Sequence, residues 1–82
     1  AVGAEQACAS AGRRVPDDVA IVGFDDIPLA ALVTPPLTTF HIPLYDLGNQ
    51  ALRLLLAHID GCSRSCEDIV IEPELVIRES AP

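Results

Sequence analysis

Tryptophan and methionine are absent from this sequence, and two Phe and one Tyr supply all its aromatic surface. Large side chains that anchor a core are therefore scarce in a chain of 82 residues, a size at which burial is marginal in any case. Basic residues are also few. Five stand against twelve acidic ones, for a formal charge of −7. Nucleic-acid backbones are held by clustered cations, and the single basic doublet, Arg13-Arg14, sits close to Asp17-Asp18. These residues are not expected to touch DNA or RNA. No apolar run approaches the roughly 18 residues of a membrane span, so no membrane partner is expected. The three cysteines, Cys8, Cys62 and Cys66, are odd in number, which argues against a closed disulfide framework. Zinc at Cys62 and Cys66 would need two further ligands, and His41 and His58 are the sole histidines. The pair reads as reduced thiols in a solvated loop, suiting a cytoplasmic protein. A Ser-His-Asp set, a paired Cys and His, a Gly-rich phosphate loop and a His-Glu metal box are all missing. No catalytic residue, metal or cofactor is expected. No initiator Met or signal peptide is visible, and their absence says little about a parent protein.

Half of the residues are apolar, which excludes a disordered chain. The most informative stretch runs from Val15 to Asp26. A Pro-Asp turn leads into Val19–Phe24, which is continuously apolar apart from Gly23. A solvated hairpin strand alternates polar and apolar residues, whereas a strand covered on both faces does not. The carboxyl end of this expected parallel strand delivers Asp25 and Asp26 into a loop. Ligands of open α/β sheets bind outside the carboxyl ends of strands, which makes Asp25 the leading binding candidate. Successive strand residues point oppositely, so the two carboxylates are not expected to face one ligand together. Asp26 is expected to fix the loop by bonding backbone N–H groups. The fold class expected is α/β, with parallel strands and flanking helices.

Helix formers from Ala4 to Ala11, closed by Gly12, predict a first helix. Asp25 to Pro36 reads as a loop with a helical turn at Leu29–Leu32. Its apolar residues Ile27, Leu29, Leu32 and Val33 need cover, from the domain or from a partner, and a contact surface is the more economical reading. Pro35-Pro36 forces extended backbone into a strand Leu37–Phe40. A second helix is predicted over Tyr45–Asp60, with Gly61 as its stop. Leu47, Ala51, Leu54, Leu55, His58 and Ile59 would form its buried face. After a polar loop from Gly61 to Glu67, Asp68–Glu72 and Leu75–Arg78 read as extended segments. Ile69, Ile71, Leu75 and Ile77 are the candidates for their covered face.

Five blocks carry a resemblance. They are Val15-Pro16-Asp17-Asp18-Val19, Ile21-Val22-Gly23-Phe24-Asp25-Asp26, Pro35-Pro36-Leu37-Thr38-Thr39, Leu47-Gly48, and Pro73-Glu74-Leu75-Val76-Ile77-Arg78-Glu79-Ser80. In this order and spacing the chain resembles the carboxyl-terminal part of LacI/GalR-type transcriptional regulators. The resemblance implies a partial periplasmic-binding-protein-like (type I) sensor domain, with residues 1–82 as a carboxyl-terminal segment of its effector-binding and dimerisation domain. The DNA-binding helix-turn-helix of such regulators lies outside these residues. It further implies that Asp25 contacts a small polar effector, often a sugar, held between two lobes. Leu44 and Leu47 would line the pocket, and Ile42 would stand where the family often has Gln; Phe24 reads equally well as packing under the ligand or as part of the core. Leu29, Leu32 and Val33 would lie at a homodimer interface. Phe40, His41 and Pro43 would form a hinge at a crossover, although an ordinary strand-to-helix connector reads equally well there. A solute-binding protein of the same fold, and a segment with no ligand function, are the competing readings.

Overall fold

The computed structural model describes residues 1–61 and 69–82. Cys62, Cys66 and Asp68 lie outside them, so the thiol pair and the start of the segment at Asp68 are not among the described features. The chain forms two compact units, Ala1–His41 with Glu74–Pro82, and Ile42–Pro73.

In the first unit, helix α1 spans Val2–Ser10. Alanines sustain it, and its end is fixed by backbone chemistry. The Gly12 N–H donates to the Ala9 carbonyl at 3.2 Å and the Arg13 N–H to the Cys8 carbonyl at 2.8 Å. This pair of hydrogen bonds closes the last turn only if Gly12 is left-handed, and its φ is 72°. The turn that follows is held by Asp18, whose carboxylate accepts the Arg14 N–H at 2.8 Å.

Strand β1 covers only Val22–Phe24, shorter than the expected Val19–Phe24. The reason lies at Ile21. Its N–H donates to the Ser80 carbonyl at 3.1 Å, and its carbonyl accepts the Ser80 hydroxyl at 2.6 Å. The backbone there is committed to the end of the chain and not to a neighbouring strand. β1 pairs in parallel with β2, Thr38–His41, matching Val22 to Thr38 and Phe24 to Phe40. β3, Glu74–Val76, runs antiparallel to the other side of β2, matching Thr39 to Val76 and His41 to Glu74. The sheet order is thus β1-β2-β3, with one parallel and one antiparallel pair. Between β1 and β2, the expected helical turn is a 3-10 helix at Pro28–Ala31.

A small core forms under this sheet from Ile21, Ala30 and Leu37, with Val2, Cys8, Val15 and Val33 packed against it. Gly23 is required by that packing. A Cβ there would sit 2.8 Å from Leu37 Cδ2, inside van der Waals contact. Among the described residues the opposite face of the sheet is uncovered. Phe24 and Phe40 stack at a tilt with centroids 5.8 Å apart, and Val22, Phe24 and Leu75 are exposed. A strand apolar on both sides therefore has cover on one side only among the described residues.

The second unit contains helix α2, Leu44–Ile59, which matches the expected helix to within one residue at each end. Gly61 closes it with φ 72°. The expected buried stripe is not buried: Leu47, Ala51, Leu54, Leu55, His58 and Ile59 are all exposed. Helical periodicity reports a face that wants cover, and no described element of its own unit supplies it.

The carboxyl-terminal segments also differ from expectation. Residues 69–73 form no strand. Ile69, Leu75 and Ile77 are exposed, with Ile71 half-buried, while Val76, Arg78 and Ser80 turn inward. The covered set is shifted by one residue, because polar bonds to Arg78 and Ser80 set the register in place of aliphatic packing. No helix among the described residues is long and apolar enough to cross a membrane.

Ser80 is the most tightly engaged of these residues. It is fully buried, and its hydroxyl accepts the Thr38 N–H at 2.7 Å while donating to Ile21. Ser80→Ala would leave a buried donor and a buried acceptor unpaired, at about 1–3 kcal/mol for each group. The expected outcome is a loss of about 2–4 kcal/mol of stability, read as a lower urea midpoint at unchanged slope.

Candidate functional site

Parallel pairing brings the carboxyl ends of β1 and β2 to the same edge of the sheet, so Asp25, Asp26 and His41 gather there with Glu74, the first residue of β3. The chain reverses sharply after Phe24. Asp25 has φ 87° and Asp26 φ 47°, left-handed values that L-residues adopt rarely and that Asp tolerates better than most. Two such residues in succession turn the carboxylates out of the strand direction and separate their roles.

Asp26 is bound within the protein. Its Oδ1 accepts Arg78 Nη1 at 2.9 Å and its Oδ2 lies 3.0 Å from His41 Nδ1. An ionised carboxylate can only accept, so the His41 nitrogen facing it carries the proton. The Asp26 N–H donates to Thr39 Oγ1 at 3.3 Å. Asp26 thus fixes the turn, as expected, but its carboxylate does so through two side chains in place of the expected backbone N–H groups. Arg78 is itself anchored. Its Nη1 also donates to the Leu37 carbonyl at 3.0 Å, and its N–H donates to Thr38 Oγ1 at 2.7 Å.

Asp25 has the opposite character. It is exposed, and its carboxylate has no hydrogen-bond or ion-pair partner among the described residues. All of its acceptor capacity faces outward. It lines none of the cavities described below, so the side chain is presented at an open edge and not within an enclosed pocket.

The other candidate residues divide between the two units. Phe24 lines a cavity of about 220 Å³ with Val2, Ile27, Ala30, Leu37 and Thr39. Ile42 and Pro43 are half-buried. Leu44 lines an open groove of about 390 Å³ on the surface of α2, with Tyr45, Gly48, Asn49 and Leu52, whereas Leu47 is exposed outside it. Of the contact-surface residues, Leu29 and Leu32 are exposed, while Val33 is partly buried against the core. Phe40 and His41 end β2, and the boundary between the two units falls directly after His41.

Arg78 is not among the site candidates read from sequence. It stands there as the end of an extended segment and within the last block of the resemblance, and the local signal is a lone cation closing an apolar run, Leu75-Val76-Ile77. Among the described residues, no group of three or more His, Cys, Asp or Glu side chains could hold a metal ion.

The bonded Arg78 guanidinium holds the Asp26 carboxyl below its ordinary range, His41 acts in the same direction, and burial opposes both. A carboxyl with a lowered folded-state pKa stabilises the fold above the unfolded value, about 3.9 for Asp, and loses that contribution as pH falls through the folded value. The stability difference between the protein and Asp26→Asn is therefore expected to be constant near neutral pH and to shrink below about pH 4. Thermal unfolding of both across that range is the check.

Known proteins place this arrangement in a family. Residues 1–81 match the periplasmic binding protein-like domain. The transcriptional regulator MalR of Streptomyces coelicolor is 46% identical over 80 residues, covering 98% of this chain and 23% of MalR. The ribose operon repressor of Haemophilus influenzae is 44% identical, covering 98% of this chain and 24% of the repressor. Among solved structures, the complex of the transcriptional regulator CelR with cellobiose superposes with a TM-score of 0.88 at 38% identity, covering 98% of this chain and 24% of CelR. The chain thus spans about a quarter of the length of these relatives. By these matches it has the periplasmic-binding-protein-like fold and belongs to that domain family, in the form carried by LacI-type transcriptional regulators.

Proposed function

We propose that this chain is the carboxyl-terminal segment of the effector-sensing domain of a cytoplasmic LacI/GalR-type regulator, and that it binds a small neutral polyhydroxyl molecule, a sugar, through Asp25. The carrying observation is the split between adjacent carboxylates. Asp26 is tied to Arg78 and His41, while Asp25, without a partner among the described residues, stands at the carboxyl end of a parallel strand in a left-handed backbone conformation. Residues held in sparsely populated conformations cluster at functional sites. A carboxylate with both oxygens open can accept two vicinal hydroxyls at once, in charge-assisted bonds stronger than neutral ones.

The relatives' names favour a sugar: a ribose operon repressor and a regulator solved with cellobiose. On this reading Phe24 offers an apolar surface beside the carboxylate in the first unit, and Ile42, Leu44 and Leu47 are apolar residues of the second unit that the family resemblance assigns to ligand contact. Loss of the amide often found at the position of Ile42 removes a donor and an acceptor, which favours a ligand with one less polar side. No catalytic step belongs to this reading. Sensing is a difference in ligand affinity between two arrangements of the domain, with Phe40, His41 and Pro43 as the hinge. The signal reaches DNA through a helix-turn-helix outside these residues, in a homodimer with Leu29, Leu32 and Val33 on its contact surface.

Calorimetric titration of the intact regulator with ribose, maltose and cellobiose tests this. At least one sugar is expected to bind, and Asp25→Ala is expected to weaken it about 30-fold or more, the scale of losing charge-assisted hydrogen bonds. Unchanged affinity in that variant removes Asp25 from the site, and failure of every neutral sugar to bind removes the ligand class.

A further inference from the structure

Parallel pairing carries Asp25 and His41 to one row of the sheet edge. Phe24 is matched to Phe40, and each of the two residues directly follows its member of that pair. The antiparallel ladder on the other side sets Glu74 opposite His41. The His41 side chain is 51% exposed, against 15% for that of Asp26. An imidazole therefore stands half in the open beside the candidate sugar-binding carboxylate.

His41 carries chemistry that a hinge does not use. Its Nδ1 lies 3.0 Å from Asp26 Oδ2. Arg78 Nη1 donates to the other oxygen of that carboxylate at 2.9 Å, and the guanidinium keeps the group ionised. The carboxylate can then only accept, so Nδ1 holds the proton, and Nε2 of the neutral ring is an acceptor. The bond at one ring nitrogen thus fixes the tautomer and with it the role of the other. Nε2 has no hydrogen-bond partner among the described residues. Glu74, its cross-strand neighbour, offers only acceptors and does not bond it.

We propose that His41 is a second ligand-contacting residue of this site, its Nε2 accepting a hydroxyl of the sugar that Asp25 holds. The proposal rests on the reading of Asp25 as a sugar-binding carboxylate and deepens it by setting the ligand's pattern of donors. Asp25 takes a vicinal pair of hydroxyls, and His41 takes a third from the next strand. The arrangement also selects by charge. Asp25, Glu74 and Nε2 all present acceptors, and the cation at this edge, Arg78, is engaged by Asp26. A neutral sugar meets these acceptors with its hydroxyl donors. A phosphorylated or uronic counterpart meets two carboxylates of its own sign, with Arg78 already spent.

The test is calorimetric titration of the intact regulator with ribose, maltose and cellobiose, then with monodeoxy and phosphorylated forms of whichever binds. His41→Asn keeps an amide donor near the place of Nδ1, and so the link to Asp26, but puts nothing in place of Nε2. It is expected to bind the sugar about three- to tenfold more weakly, as for loss of one neutral hydrogen bond. One monodeoxy sugar that binds the unsubstituted protein less tightly than its parent is expected to bind His41→Asn as tightly as the parent sugar does. A residue that only shapes the fold would not erase the effect of a single hydroxyl. His41→Gln, whose longer amide reaches the place of Nε2, is expected to keep the sensitivity to that hydroxyl. Unchanged affinity in His41→Asn, or a loss spread equally over every deoxy sugar, overturns the proposal. A phosphorylated sugar that binds more tightly than the neutral one overturns it too. If Asp25→Ala loses binding while His41→Asn does not, His41 falls and Asp25 stands. If no neutral sugar binds, both fall.

Discussion

The ordering of this small unit depends on one buried polar joint, where Ser80 and Arg78 lace the last residues of the chain into the first two strands. The Ser80 hydroxyl takes the Thr38 N–H and gives its proton to the Ile21 carbonyl, while its backbone bonds Ile21 and Pro36. Among the described residues three aliphatic ones form the buried core, too little to specify a register alone. Hydrogen bonds therefore do here what packing does in larger domains. They carry a corresponding sensitivity, because a buried polar network is favourable only when every member is satisfied.

The joint also positions the candidate site. Arg78 reaches from the same segment to Asp26 and to the Leu37 carbonyl, so the turn after β1 is tied to the chain end some fifty residues later. With Asp26 and His41 held, Asp25 is left as a carboxylate without partners among the described residues at the edge of the sheet. Its immediate surroundings do not call for a bound cation, because Arg78 already neutralises Asp26 and the next acidic group, Glu74, is on β3 opposite His41. A ligand rich in hydroxyl donors satisfies Asp25 without adding charge.

Much of this was readable from residue order. The glycines at 12 and 61 marked the helix ends because a left-handed residue closes each, and the apolar run ending at Phe24 marked a parallel strand. The prolines at 35 and 36 marked the entry to β2. What could not be read came from two physical causes. Periodicity on α2 and on Leu75 and Ile77 shows which face wants cover but not whether this chain supplies it, and both faces are exposed. The role of Arg78 depends on contacts across forty and fifty residues, which no local pattern encodes. Asp25 was singled out by its place at a strand end, whereas its separation from Asp26 depends on two left-handed residues in a row, a conformation the doublet itself does not announce.

The central claim is that Asp26 and Arg78 hold the turn so that Asp25 can bind. A double-mutant cycle on Asp26→Asn and Arg78→Gln, read as sugar affinity in the intact regulator, tests it most directly. Each single change is expected to weaken binding although neither group touches the sugar, and the double variant is expected to be little worse than either. Sugar affinity unchanged in both folded single variants, or losses that simply add, would contradict the account.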